Sequence, residues 1–151
     1  MTWEPWALGV CAAWLVFNWL APLAILLYCK PLGLGRIPGE ILYRANAHRV
    51  SYYTARLDGG YAFSVWMGWR HAVVLDEAFM RHAPPVVIRF VLAHELGHCA
   101  LGHLRWRWAC AVTGAILLPW VRRWLAHAEG EADAWAESLS GISRTVLRGV
   151  A

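Results

Sequence analysis

The chain opens with a long stretch in which no position is charged. Residues 6–29 are 24 consecutive positions without Asp, Glu, Lys or Arg. A helix of that length extends about 36 Å, which exceeds a hydrocarbon core of about 30 Å. The pattern therefore predicts a single transmembrane helix, preceded by a short extracytoplasmic end at residues 1–5. A cleaved signal peptide is disfavoured, because the residues before the stretch include Glu4 and no cation.

The cations around this stretch predict its orientation. None precedes it, whereas Lys30, Arg36 and Arg44 follow it. Cytoplasmic flanks are rich in Lys and Arg, so we expect a single-pass protein of the cell (inner) membrane with its main domain in the cytoplasm. Residues 30–40 are dense in Gly and Pro and predict a linker, which leaves residues 41–151 as that domain.

The domain begins with a pattern typical of strands. Residues 49–57, 61–67 and 71–76 are rich in β-branched and aromatic side chains, and Asp-Gly-Gly at positions 58–60 is a hairpin signal between the first two. Residues 77–82 suit one short helical turn. The sequence therefore predicts an α+β fold with a small antiparallel or mixed sheet.

After Pro85 the spacing of apolar residues becomes helical. Val87, Phe90 and Val91 continue in steps of three and four to His94 and His98. The proline suits the first turn of such a helix, because it lacks an N–H that would be unpaired there.

Composition agrees with a membrane protein. The chain is 59% hydrophobic and only 16% charged, and it holds 11 Trp, whereas soluble domains average about 45–50% apolar and 25% charged. The net charge of +4 comes from dispersed Arg residues that form no basic run longer than two, so we do not expect a nucleic-acid partner. The four Cys form no C-x-x-C pair, which argues against a disulfide framework.

The strongest chemical signal is His94-Glu95-Leu96-Gly97-His98 on the predicted helix. Histidines four positions apart lie on one helix face and can share a metal ion. Glu95 lies beside them, positioned to take a proton from a water molecule whose pKa zinc lowers to near 7. The motif predicts one Zn²⁺ per chain, with His94 and His98 as ligands and Glu95 as general base.

A third ligand is needed, and spacing gives candidates. His103 would lie on the opposite side of a continuing helix from His94, so we do not expect it to bind the metal. Glu129 and Asp133 share one face of a second predicted helix, where one carboxylate would bind zinc and the other would accept a ring N–H from a ligand histidine. His127 is an outside candidate. Ala128, Ala132 and Ala136 form a small-residue seam that would let the two helices approach closely.

The HELGH motif at positions 94–98 and the acidic helix at positions 129–136, behind an N-terminal anchor, resemble the HtpX / CAAX prenyl protease group of membrane zinc metallopeptidases, of gluzincin type. The likeness covers roughly residues 49–139. It implies zinc ligands His94, His98 and Glu129, general base Glu95, and a supporting carboxylate, Asp133.

The resemblance also implies a substrate-binding edge. The strand before the active helix, with Val73, Val74 and Leu75 at its centre, would pair with a peptide by β-addition. Two departures stand out: HtpX-like chains carry more spanning helices, and little chain follows the acidic helix to supply an oxyanion-stabilising side chain. Arg144 and Arg148 are the candidates there, although each better suits a surface or headgroup contact.

A second apolar segment, residues 108–121, has 14 positions without charge. As a helix it would extend about 21 Å, too short to cross a bilayer. One crossing would also separate Glu129 from the two histidines. We therefore expect a non-spanning segment that dips into the membrane, lies along it or packs in the core; flanking Trp and Arg residues favour a shallow hairpin in the interface.

The sequence thus predicts a membrane-anchored zinc metalloendopeptidase that hydrolyses peptide bonds of membrane or membrane-proximal proteins. Its expected partners are that peptide substrate and the lipid bilayer. The alternative is a non-catalytic membrane adaptor with a zinc-stabilised fold. Glu95 argues against the alternative, because a structural zinc site has no need of a base.

Overall fold

The computed structural model describes residues 27–33, 37–57, 61–67 and 70–143, together with positions 9, 12, 20, 23 and 145. Its elements, in chain order, are β1 (Lys30–Pro31), α1 (Gly39–Ala47), β2 (Val50–Ala55), β3 (Ala62–Trp66), β4 (His71–Asp76), α2 (Glu77–His82), α3 (Pro85–Ala100), α4 (His103–Val112), a 3-10 turn (Ala115–Leu117) and α5 (Pro119–Ser140). The domain is α+β, as the sequence predicts.

The predicted transmembrane stretch, residues 6–29, lies largely outside the described residues, as does the predicted 58–60 turn. Of the residues that the structure describes, none belongs to a helix long and apolar enough to cross a membrane. Within the predicted linker, Lys30 and Pro31 pair with β2, and a helix that the sequence pattern did not predict, α1, begins at Gly39.

The four strands form a mixed sheet in the order β1-β2-β4-β3. β4 runs parallel to β2 on one side and antiparallel to β3 on the other. The expected hairpin between β2 and β3 is therefore wrong, since β4 lies between them. The reason is burial: every residue of β4 is buried, and a strand covered on both faces takes an inner position.

This order also corrects the expected substrate edge. Val73, Val74 and Leu75 are fully buried on an inner strand, where their backbone groups already pair with β2 and β3. A peptide cannot add to such a strand. The strand with a free side next to the active helix is β3, whose sole sheet neighbour among the described residues is β4.

Asp76 and Pro85 favour the starts of α2 and α3, the two helices that follow the sheet. The Asp76 carboxylate accepts hydrogen bonds from the backbone N–H groups of Phe79, at 2.7 Å, and Leu57, at 2.9 Å. These bonds hold the pKa of Asp76 below its usual value, because they favour the charged carboxylate. Pro85 occupies the first turn of α3, as expected.

Helices α3 and α5 approach each other closely along the predicted seam. Ala128, Ala132 and Ala136 are buried on α5, and Gly97 of α3 faces the middle one. A Cβ at Gly97 would lie 3.2 Å from the carbonyl oxygen of Ala132 and 3.3 Å from its Cα. The absence of a side chain at Gly97 therefore sets how near the two helices come.

The second apolar segment, residues 108–121, is broken rather than continuous. It begins within α4, which ends at Val112, and turns at Gly114, whose φ of 73° is left-handed. The 3-10 turn follows, and Pro119 then begins α5. The segment thus connects two helices that contact each other.

The close approach of the two helices predicts that substituting two glycines of the chain will affect stability very differently. Replacing Gly97 with Val should lower the free energy of unfolding by about 1–3 kcal/mol, because the added atoms meet backbone that cannot yield easily. The same change at Gly130, where a Cβ meets nothing within 4 Å, should alter it by less than about 0.5 kcal/mol. Urea unfolding of the two variants measures both, and equal losses would contradict the prediction.

Candidate metal centre

Three side-chain atoms from two helices converge on one point. Nε2 of His94 lies 3.2 Å from Nε2 of His98, and Oε2 of Glu129 lies 3.3 and 3.4 Å from those two nitrogens. The histidines come from successive turns of α3, and the glutamate comes from α5. The structure therefore brings together the three residues that the resemblance implies as ligands.

Hydrogen bonds on the far side of each ring fix which nitrogen faces the centre. Nδ1 of His94 lies 2.9 Å from Oδ1 of Asp133, and Nδ1 of His98 lies 3.1 Å from Nδ1 of His103. A proton on each Nδ1 makes these bonds and leaves each Nε2 as a lone pair. Two lone pairs and a carboxylate oxygen thus point at each other, and a cation between them would satisfy all three.

The protonation of His98 suits a metal ligand. Its side chain is almost fully buried, and this loss of solvation lowers the pKa of the ring to about 4 despite the opposing charge of Glu129. The ring is therefore neutral near pH 7. A neutral imidazole is the form that binds metal.

The spacing of the three atoms fits zinc. Ligand atoms about 2.0–2.1 Å from a tetrahedral ion stand roughly 3.3 Å from one another, which matches the observed triangle. Three protein ligands with one position left for water or substrate are typical of a catalytic zinc site, whereas structural sites use four.

Glu95 lies beside this triangle in a setting that raises the pKa of its carboxyl. Burial is the main cause, because the side chain is only 8% exposed and the charged form is poorly solvated. A hydrogen bond from the Ser64 hydroxyl of β3 and the nearby His94 act in the opposite direction. A carboxyl whose pKa is raised is suited to accept a proton and return it.

The structure adds three polar residues that the sequence analysis did not place at the centre. Arg107 lies 3.7 Å from Oε1 of Glu129, so one oxygen of this carboxylate faces the guanidinium and the other faces the histidines. His103 contacts His98, and Nε2 of His103 lies 3.2 Å from Oε2 of Glu131.

The position of His103 corrects an assumption about the active helix. We expected α3 to continue, which would put His103 opposite His94. The helix instead ends at Ala100, and Gly102 adopts a left-handed φ of 75°, after which α4 begins. This reversal carries His103 to His98. The signal in the sequence was Gly102, since glycine is the usual residue in that conformation.

The other candidates lie elsewhere. His127 is largely exposed and lies 3.7 Å from Glu131 rather than among the converging atoms. Arg144 and Arg148 fall outside the described residues. Asp133 contacts His94, in the relation expected of a supporting carboxylate.

A small α+β domain whose active helix presents two histidines and a buried glutamate, closed by a carboxylate from a second helix, has the features of a metallopeptidase. The family comparison makes this specific. The chain belongs to peptidase family M48, whose model matches residues 44–135, more than half of its length. Members of that family are zinc metallopeptidases. No curated protein matches the sequence significantly.

The geometry predicts that Glu129 contributes directly to metal affinity. Glu129→Gln should weaken zinc binding by at least about tenfold, because a neutral amide is a poorer ligand than a carboxylate. Glu137→Gln, two turns further along α5, is the matched control and should bind as the wild type does. Competition with a chromophoric chelator measures both affinities, and equal affinities would contradict the assignment.

Proposed function

We propose that this protein is a membrane-anchored zinc endopeptidase that cleaves membrane or membrane-proximal proteins. The observation that carries the proposal is the placement of Glu95, a buried carboxyl of raised pKa, beside three converging ligand atoms. Membership of family M48 supports peptide hydrolysis in general. The closer likeness to HtpX / CAAX prenyl proteases belongs to the proposal.

The residues of the site have separate roles in this mechanism. When bound, Zn²⁺ supplies polarisation of the scissile carbonyl and lowers the pKa of a water molecule. A carboxylate oxygen of Glu95 takes the proton of the attacking water and later delivers it to the departing amine. Asp133 holds the ring of His94 in place through Nδ1.

The substrate would bind along β3 rather than β4. β3 packs against α3, and its Ser64 hydroxyl reaches Glu95, so a peptide added to the free side of this strand would pass close to the general base. Unpaired N–H and C=O groups at a strand edge recognise an extended backbone with little regard to its sequence. This proposal keeps β-addition and moves it to the edge strand β3.

The membrane part of the proposal rests on the uncharged stretch at residues 6–29 and on exposed apolar side chains in and around the 3-10 turn. Leu117 in the 3-10 turn is 82% exposed, and Trp106 and Trp120 on the flanking helices are 67% and 66% exposed. Arg122 and Arg123 follow on α5. Exposed Trp and Leu beside Arg are typical of a surface that rests in the lipid interface.

Replacing Glu95 with Gln tests the chemistry. The variant should keep zinc, because Glu95 is not among the converging atoms, and should lose cleavage by about 10²–10⁴-fold, the usual contribution of a general acid–base group. Products are identified by mass spectrometry of an unbiased library of peptides and membrane proteins, with a chelator as control. Retained turnover in the variant would contradict the mechanism. A zinc-loaded wild type that cuts nothing would favour the adaptor alternative.

The lipid contact is tested with a diazirine-bearing amino acid at position 117 in the full chain, reconstituted in nanodiscs. We expect photocrosslinks to lipid from this position, because its side chain would lie in the interface. The same amino acid at position 43, where Tyr43 is comparably exposed on α1, should crosslink much less. Equal yields at the two positions would exclude a specific docking of the 3-10 turn.

A further inference from the structure

A chain of polar contacts extends from the metal centre into the space between α3, α4 and α5. Nδ1 of His98 lies 3.1 Å from Nδ1 of His103, and Nε2 of His103 lies 3.2 Å from Oε2 of Glu131. His103 is only 5% exposed. A buried imidazole with one partner on each side is held in a fixed position.

Only one arrangement of protons satisfies every atom of this chain when Nε2 of His98 faces a metal. Nδ1 of His98 then carries the proton and donates it, so Nδ1 of His103 must accept. The remaining proton of His103 is on Nε2, which donates to the carboxylate of Glu131. Each donor meets one acceptor, and all bonds run in the same direction.

Packing holds the ring of His103, which lies between His98 and Glu131, in this orientation. The ring of Trp124 on α5 meets the ring of His103 edge-on, with centroids 6.1 Å apart and planes at 90°. The turn at Gly102 fixes where α4 begins, one residue before His103. The ring is therefore positioned by α5 and by the turn as well as by its hydrogen bonds.

We propose that His103 and Glu131 are positioning residues for the metal, acting through His98. Glu131 polarises His103, which in turn orients His98 and increases the electron density on its Nε2. The inference rests on the proposed zinc site. It implies that both ligand histidines are tied to carboxylates of α5: His94 directly through Asp133, and His98 through an intervening imidazole.

Partners of this kind change metal affinity by about 10–100-fold when removed. His103→Leu, which has no acceptor for His98, should therefore weaken zinc binding in that range. His103→Asn keeps an oxygen near the position of Nδ1 and should recover most of the loss, to within about fivefold of the wild type. Glu131→Ala should also weaken binding, whereas Glu131→Gln keeps an acceptor and should weaken it less.

The measurement is the zinc dissociation constant of the full chain by chelator competition at fixed pH, with His82→Leu as a control at an exposed histidine. Two further readouts separate positioning from folding. Thermal unfolding of the zinc-free variants should not follow the order of their zinc affinities. Nitrogen-15 NMR of the zinc-free wild type should show the proton of His98 on Nδ1, and His103→Leu should give a mixture of tautomers.

Different failures identify different errors. Wild-type affinity in His103→Leu would overturn the positioning role alone. Equal losses in His103→Leu and His103→Asn, matched by equal losses of thermal stability, would show that His103 acts only through packing and would also overturn it. A wild type that binds no zinc, or binds it as well after His94→Ala, would overturn the zinc site and this inference together.

Discussion

The site depends on how closely α3 and α5 approach each other at Gly97 and Ala132. The active helix supplies two histidines and the buried glutamate, but the third converging atom and the carboxylate behind His94 come from α5. Side chains as short as Asp133 reach across only because the seam between the helices is made of Gly and Ala. Close packing between backbones is thus a condition for the metal geometry.

The sheet has a different role from the helices. It contributes no atom to the converging set, but it covers one side of α3 and places Ser64 against Glu95. Burial is the main reason that the pKa of Glu95 is raised, and the hydroxyl of Ser64 on this layer acts in the opposite direction. The same layer ends at β3, whose Ser64 contacts Glu95, so under the proposed function this strand would border the substrate as well.

Local signals in the sequence predicted local structure well. The bounds of β4, the start of α3 at Pro85 and the seam of alanines follow from periodicity and residue type, because each depends on neighbours a few positions away. The end of α3 at Ala100 did not follow, since the helix was expected to continue. The order of the strands was not predicted correctly. The turn signal after β2 does not indicate that β4, a later strand, pairs with β2. A continuous apolar strand was the sign that β4 lies inside the sheet.

The residues of the metal site also divide into those that local motifs predict and those that tertiary packing places. His94, Glu95 and His98 follow from one motif, and Glu129 and Asp133 follow from a second motif with the resemblance that joins them. The contact of His103 with His98 was not predicted, because the helix was expected to continue past Gly102. The chain instead reverses there. Arg107 was missed for a similar reason, since its distance to Glu129 is set by the packing of α4 against α5.

Because the proposed ligands are divided between two helices, occupancy of the site and docking of α5 are thermodynamically linked. An ion that binds only the docked arrangement would stabilise it by about 4 kcal/mol at a free concentration one thousand times its dissociation constant. The rigidity of this small domain would then vary with the supply of zinc in its compartment. A cell that withholds the ion would loosen the helix that completes the site as well as remove the Lewis acid.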